Sequence, residues 1–140
     1  MLLYIHKNLQ AKEVCMETVF DENIFAKMTL NNNDRLLVGL LYRSPSVRQD
    51  NTNRDNNADL LKIINESTNK HFSHILLMGD INYPDIDWEE WNTKSDNIES
   101  EEYKFMQCIQ DNFLYQHITK PTRWRGSDTP HVLDLIFTNE

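Results

Sequence analysis

The run His74-Ile75-Leu76-Leu77-Met78-Gly79-Asp80-Ile81-Asn82 constrains the fold more than any other stretch of this chain. Its apolar part has the length and composition of a buried strand. It stops at a glycine and then presents two polar residues. Glycine lets a backbone turn sharply or come close to a ligand. Residues at i and i+2 of a strand point to the same side. Asp80 and Asn82 are therefore expected to offer a carboxylate and an amide to one substrate group. A strand end closed by a turn-forming Asp and Asn is the plainer reading, and so short a motif does not decide between the two. Two other runs bear on the choice: Leu40-Leu41-Tyr42-Arg43-Ser44-Pro45 and Val132-Leu133-Asp134-Leu135-Ile136-Phe137-Thr138.

Periodicity supplies the elements around these runs. Residues 2–5, 13–20 and 24–30 read as strands. In the last of these, Ile24, Ala26, Met28 and Leu30 alternate with Phe25, Lys27 and Thr29. The turn signal Asn31-Asn32-Asn33-Asp34 joins that strand, as a hairpin, to a nearly continuous apolar strand over 36–42. Such a run is expected to be buried on both faces. Residues 44–57 read as a polar loop. The spacing predicts a helix over 58–70, with Leu60, Ile63, Ile64 and Ser67 on one face. Residues 75–79 form the central strand. The stretch 80–97, rich in Asp, Pro and Trp, reads as a long loop of the kind that carries function. A second helix is predicted over 100–112, capped by Ser100, with Glu101 and Glu102 in its first turn and Met106, Ile109 and Phe113 as its buried stripe. A short strand over 114–118, a basic loop over 119–131 and a last strand over 132–138 follow. This is a mixed α/β pattern, and periodicity does not separate a doubly wound sheet from a two-sheet sandwich.

At 140 residues the chain makes one domain at most. No run approaches the apolar length of a membrane span, and residues 1–5 are too short for a signal-peptide core. The net charge of -8 argues against a general nucleic-acid binder, which is usually basic. It leaves room for a local basic rim around an acidic site. Lys120, Arg123 and Arg125, with Trp124 among them, form such a cluster; Arg43, Arg48 and Arg54 form a looser one. Solvated loop charge is the plainer reading for Arg48 and Arg54. Cys15 and Cys108 are far apart and lack metal-ligand spacing, so they read as reduced, buried thiols of an intracellular protein. The histidines show no ligand spacing either, and His131 stands at i to i+3 from Asp134, which on a strand means opposite faces.

Taken in order, the Tyr-Arg-Ser-Pro, Gly-Asp-x-Asn and Leu-Asp-Leu-Ile-Phe-Thr runs resemble the endonuclease/exonuclease/phosphatase superfamily. That is the fold of DNase I-like nucleases, apurinic-site repair endonucleases and the endonuclease domains of non-LTR retrotransposons. Asn82-Tyr83-Pro84-Asp85-Ile86-Asp87-Trp88 and the ending Leu133-Asp134-Leu135-Ile136-Phe137-Thr138-Asn139 resemble the retrotransposon branch. The resemblance implies an α/β/β/α two-sheet sandwich, DNase I-like, with the active site at one end. It implies catalytic roles for four residues. Asp80 would activate a water, Asn82 would stabilise the phosphate or that water, Tyr42 would hydrogen-bond a phosphoryl oxygen, and Asp134 would orient a catalytic histidine. Arg43 would bind substrate phosphate.

Similar proteins also have an early strand bearing an Asn, a strand ending in a metal-binding Glu, and a closing Ser-Asp-His. This chain shows none of them at matching positions. Residues 1–140 are accordingly expected to be an incomplete domain. Mg²⁺ is the cofactor implied for the complete domain, and no residue here is assigned as its ligand. DNA is the implied partner, with no small-molecule cofactor and no membrane. An intracellular location is expected, the nucleus included. The first functional expectation is a Mg²⁺-dependent endonuclease-type phosphodiesterase, inactive as this chain alone. The second is a non-catalytic relic, at most a weak nucleic-acid-binding or interaction module. A phosphatase of small substrates shares the fold, but the 83–88 segment speaks against it.

Overall fold

The computed structural model describes residues 1–45, 55–95, 97–124, 126–127 and 129–140. Arg48, Arg54 and Arg125, and most of the loop expected between the first long strands and the first helix, lie outside the described residues. The strands are β1 (Lys12–Glu13), β2 (Asn23–Thr29), β3 (Arg35–Tyr42), β4 (His74–Asp80), β5 (Ile86–Asp87), β6 (Asn92–Thr93), β7 (Tyr115–Gln116) and β8 (Asp134–Thr138). The helices are α1 (Asn56–Asn69) and α2 (Glu101–Asp111). Six strands form one mixed sheet in the order β1-β2-β3-β4-β8-β7, and β5 and β6 form a small second sheet.

The hairpin between β2 and β3 is antiparallel, as the turn signal required. Strands β3 and β4 are parallel, so the chain must cross over between them, and α1 makes that crossover. Strand β8 then inserts antiparallel beside β4. Its first residue thus lies beside the last residue of β4. This places the ends of β3 and β4 and the start of β8 together at one end of the sheet.

Alternation sorts the strand residues onto two faces. Phe25, Leu37, Leu41, Ile75, Leu77, Leu135 and Phe137 face the helices and join Leu60, Ile63, Ile64, Phe105 and Ile109 in one core. The buried face of α1 is Leu60, Ile63, Ile64 and Ser67, as its spacing predicts, and the Ser67 hydroxyl donates to the Ile64 carbonyl (2.7 Å). Asp55 caps α1 by accepting from the backbone of Asn57 and Ala58, and Ser100 caps α2 by accepting from Tyr103. The second face of the sheet carries Ala26, Met28 and Val38, which are buried, and Ile24, Leu36, Leu40, Leu76, Met78 and Ile136, which are partly buried.

Four expectations need correction. Cys108 is buried as expected, but Cys15 is exposed, because it lies just after β1 in a segment that forms no strand. Residues 2–5 form no strand, and of 13–20 only residue 13 belongs to one, β1, with the Val14 N–H donating once more to the Phe25 carbonyl of β2 (2.8 Å). The physical reason lies in α1: the Glu66 carboxylate accepts from the backbone N–H of Glu17 and of Thr18, each at 2.8 Å. These donors are satisfied by a side chain, with no need of a neighbouring strand. Phe113 is not part of the buried stripe of α2. The helix ends before it, its φ is +54°, and its ring is 82% exposed, so Leu114 takes the core position instead. The stretch over 80–97 is not all loop: it holds β5 and β6. Tyr83, Ile86 and Trp88 are buried, and Trp88 packs edge-on against Trp91, Phe105 and Phe137 at centroid distances of 5.3, 6.3 and 5.8 Å.

Candidate active site

Strand register brings three of the sequence-derived site residues into one row. Tyr42 is the cross-strand partner of Asp80, and Asp80 is the partner of Asp134. All three lie on the sheet face turned away from the helices. Glycine at position 79 permits this row. A Cβ there would stand 1.7 Å from the Leu41 carbonyl oxygen, so only glycine lets β4 lie this close to β3 at its end. The close approach that the sequence assigned to a ligand is thus an approach to the neighbouring strand.

Asp80 is the centre of the row. Arg123 donates from Nη2 to its Oδ2 at 2.8 Å, while its Oδ1 is buried and meets no hydrogen-bond donor. Burial pushes the Asp80 carboxyl above the ordinary aspartate range; Arg123 opposes that rise and the charge of Asp134 adds to it. Asp134 stands at the exposed start of β8. The apolar run around it suggests a buried carboxylate in need of a partner, but strand alternation turns it outward while Leu133 and Leu135 turn in. Tyr42 is 37% exposed, its ring at the strand end.

Asn82 does not share a face with Asp80 in the manner of a continuing strand. β4 ends at Asp80, and Asn82 adopts a left-handed backbone conformation, φ +56°, which asparagine tolerates better than most residues. Its side-chain amide donates to the Arg43 carbonyl at 2.8 Å. Arg43 returns the contact: its Nη1 donates to the Asn82 carbonyl (3.0 Å), its Nε to Asn57 Oδ1 (2.8 Å), and its guanidinium lies 3.9 Å from the Tyr83 ring centroid. The residue that resemblance marked for phosphate is engaged inward and braces the turn after Asp80.

Two residues of the basic loop belong to the site. Thr122 Oγ1 accepts from the backbone N–H of Leu133 (3.1 Å) and Asp134 (3.0 Å), tying the loop to the start of β8. Arg123 exchanges backbone hydrogen bonds with His131, and its side chain reaches Asp80. The sequence marked Arg123 only as part of a basic cluster. Nothing in local spacing shows that a residue so distant in the chain pairs with Asp80.

With this geometry in hand, comparison with known proteins identifies the class. The family model described as endonuclease-reverse transcriptase matches residues 36–140, and the chain belongs to that family. No significant match is found among curated proteins. Among solved structures, an endonuclease/exonuclease/phosphatase family protein from Leptotrichia buccalis C-1013-b matches with 16% identity and a TM-score of 0.40; the match covers 84% of this chain and 42% of that one. The chain thus spans less than half the length of that protein.

A divalent cation is the group such a family implies. The orphaned Asp80 Oδ1 and the carboxylate of Asp134 are hard oxygen donors suited to Mg²⁺. Against this, Arg123 already sits on Asp80, and its positive charge opposes a cation there. Among the described residues no group of three or more His, Cys, Asp or Glu side chains is gathered to hold a metal. These residues do not make a resident metal centre.

Proposed function

We propose that this chain carries part of the phosphodiester-cleaving site of a retrotransposon-type endonuclease, with DNA as substrate and Mg²⁺ as the cofactor of the complete domain. Support comes from the register row Tyr42, Asp80, Asp134, with one buried and unpartnered oxygen at its centre. A carboxylate of raised basicity at a strand end is suited to take a proton from an attacking water. Tyr42 is suited to donate to a phosphoryl oxygen. Asp134 is suited to orient an imidazole, and no Ser-Asp-His occurs in these 140 residues. Asn82 and Arg43 serve the reaction by holding the turn behind Asp80. The nucleus is the location such a substrate implies.

The 140-residue chain by itself is then close to inactive, because among the described residues neither a metal cage nor an imidazole partner stands beside Asp80 and Asp134. Losing one positioned electrostatic group slows an enzyme by about a hundredfold to a thousandfold, and here more than one is missing. A nicking assay on supercoiled plasmid with Mg²⁺ tests this. The chain and its Asp80→Ala variant are expected to nick at the same background rate. Metal-dependent nicking lost in Asp80→Ala would contradict the inactivity and support the site. Nicking that survives Asp80→Ala would contradict the site itself.

A further inference from the structure

Of the two arginines bonded to the turn after β4, Arg43 is turned inward and Arg123 outward. Arg123 is 51% exposed, whereas the Asp80 side chain it meets is 15% exposed. Its guanidinium therefore spans from a nearly buried carboxylate to solvent. Its backbone is not free to wander. Thr122 and Arg123 both donate to the His131 carbonyl, Arg123 accepts from His131, and Thr122 Oγ1 is held by Leu133 and Asp134. A cation fixed in this way, at the mouth of an acidic site, is the geometry that recognises a phosphate. Guanidinium presents a planar fork of donors that fits phosphate oxygens two at a time. Asp80 engages this fork through one nitrogen and one oxygen, Nη2 to Oδ2 at 2.8 Å. A chain of net charge -8 also needs a local cation wherever a polyanion is to approach.

We propose that Arg123 is a phosphate-binding residue of this site, resting on Asp80 until a phosphodiester of a polynucleotide replaces that carboxylate as its partner. The exchange has two consequences. Arg123 gains a better partner, and Asp80 is released beside the phosphate. This rests on the nucleic-acid reading above, and the test separates the two.

The test is fluorescence anisotropy with a short labelled DNA duplex, in EDTA, over a range of salt concentrations. Arg123→Gln is expected to bind about tenfold more weakly, and the slope of log affinity against log salt is expected to fall by about one, the signature of one lost phosphate contact. Arg123→Lys is expected to keep the slope and lose part of the affinity. Asp80→Asn is expected to tighten binding, and to do so only where Arg123 is present. Asp134→Asn, which removes the same charge from the next strand, is expected to have the same effect with or without Arg123. A urea titration of each variant separates loss of binding from loss of folding, and Arg123→Lys keeps a cation beside Asp80 where Arg123→Gln does not. If the wild type binds and Arg123→Gln matches it in affinity and slope, the role of Arg123 is refuted and the nucleic-acid reading stands. If the Asp80→Asn gain persists in the Arg123→Gln background, the exchange is refuted. If the wild type does not bind DNA, both readings fall.

Discussion

Arg43 shows a motif residue engaged in bracing the fold. Its sequence context marks it for phosphate, yet its guanidinium donates to Asn57 and to the Asn82 carbonyl and lies against the Tyr83 ring. Arg43→Ala is expected to destabilise the fold by about 2–3 kcal/mol, since hydrogen bonds from a charged donor and a cation–π contact are lost together. Arg43→Lys is expected to recover little of it, because a point charge cannot serve these partners at once. Urea unfolding reads the loss; a variant as stable as the wild type would refute the bracing role. Asp80 and Asp134 were legible as site candidates because strand ends are readable from apolar runs. The Arg123 partner of Asp80 was not, because the pair is 43 residues apart in sequence. The exposure of Asp134 is hard to see for a related reason: an apolar run of mixed residues hides which of them face outward.

At the scale of elements, helices were read to within a residue or two, because apolar spacing and the Ser100 cap are local signals. The amino-terminal segment was not, because Glu66 of α1 determines its path. Burial raises the Glu66 carboxyl, but the Glu17 and Thr18 backbone donors and the Lys70 ammonium more than offset this and bring it down to about 2 from 4.5. A depressed carboxylate contributes stability above its unfolded value, and that contribution is lost as pH falls toward its folded value. Glu66→Gln is therefore expected to destabilise by about 1 kcal/mol near neutrality, the side chain being in part screened by solvent. The gap to wild type is expected to close between about pH 4.5 and about pH 2. Thermal melts across that window check it, and a gap that does not change with pH would contradict the clamp. The stretch over 80–97 reads as functional loop. Its Tyr83, Ile86 and Trp88 are core residues, so much of its motif character reflects packing.

For the whole molecule, the order of strands follows from pieces the sequence did show, but only the parallel β3–β4 pairing and the insertion of β8 bring Tyr42, Asp80 and Asp134 into one row. The partly buried apolar residues Ile24, Leu36, Leu40, Leu76, Met78 and Ile136 share a sheet face outside the helix-covered core. Apolar faces of this kind favour association. The chain is expected to bind anilinonaphthalene sulfonate and to elute later, as a smaller species, only on dilution. A concentration-independent monomer that leaves the dye dark would contradict this. The opposite end of the sheet also holds cations: Lys12, Lys27 and Arg35 line a cleft of about 930 Å³ there. It offers a second place for a polyanion and so a fair control for the central claim, that phosphodiester recognition belongs to the Asp80 row. The direct measurement is chemical-shift mapping of the backbone amides on titration with a short DNA duplex in EDTA. The account predicts that the largest shifts fall at Arg43, Ile81, Asn82, Arg123 and Asp134. Shifts gathered instead at Lys12, Lys27 and Arg35, with the Asp80 end unmoved, would contradict it.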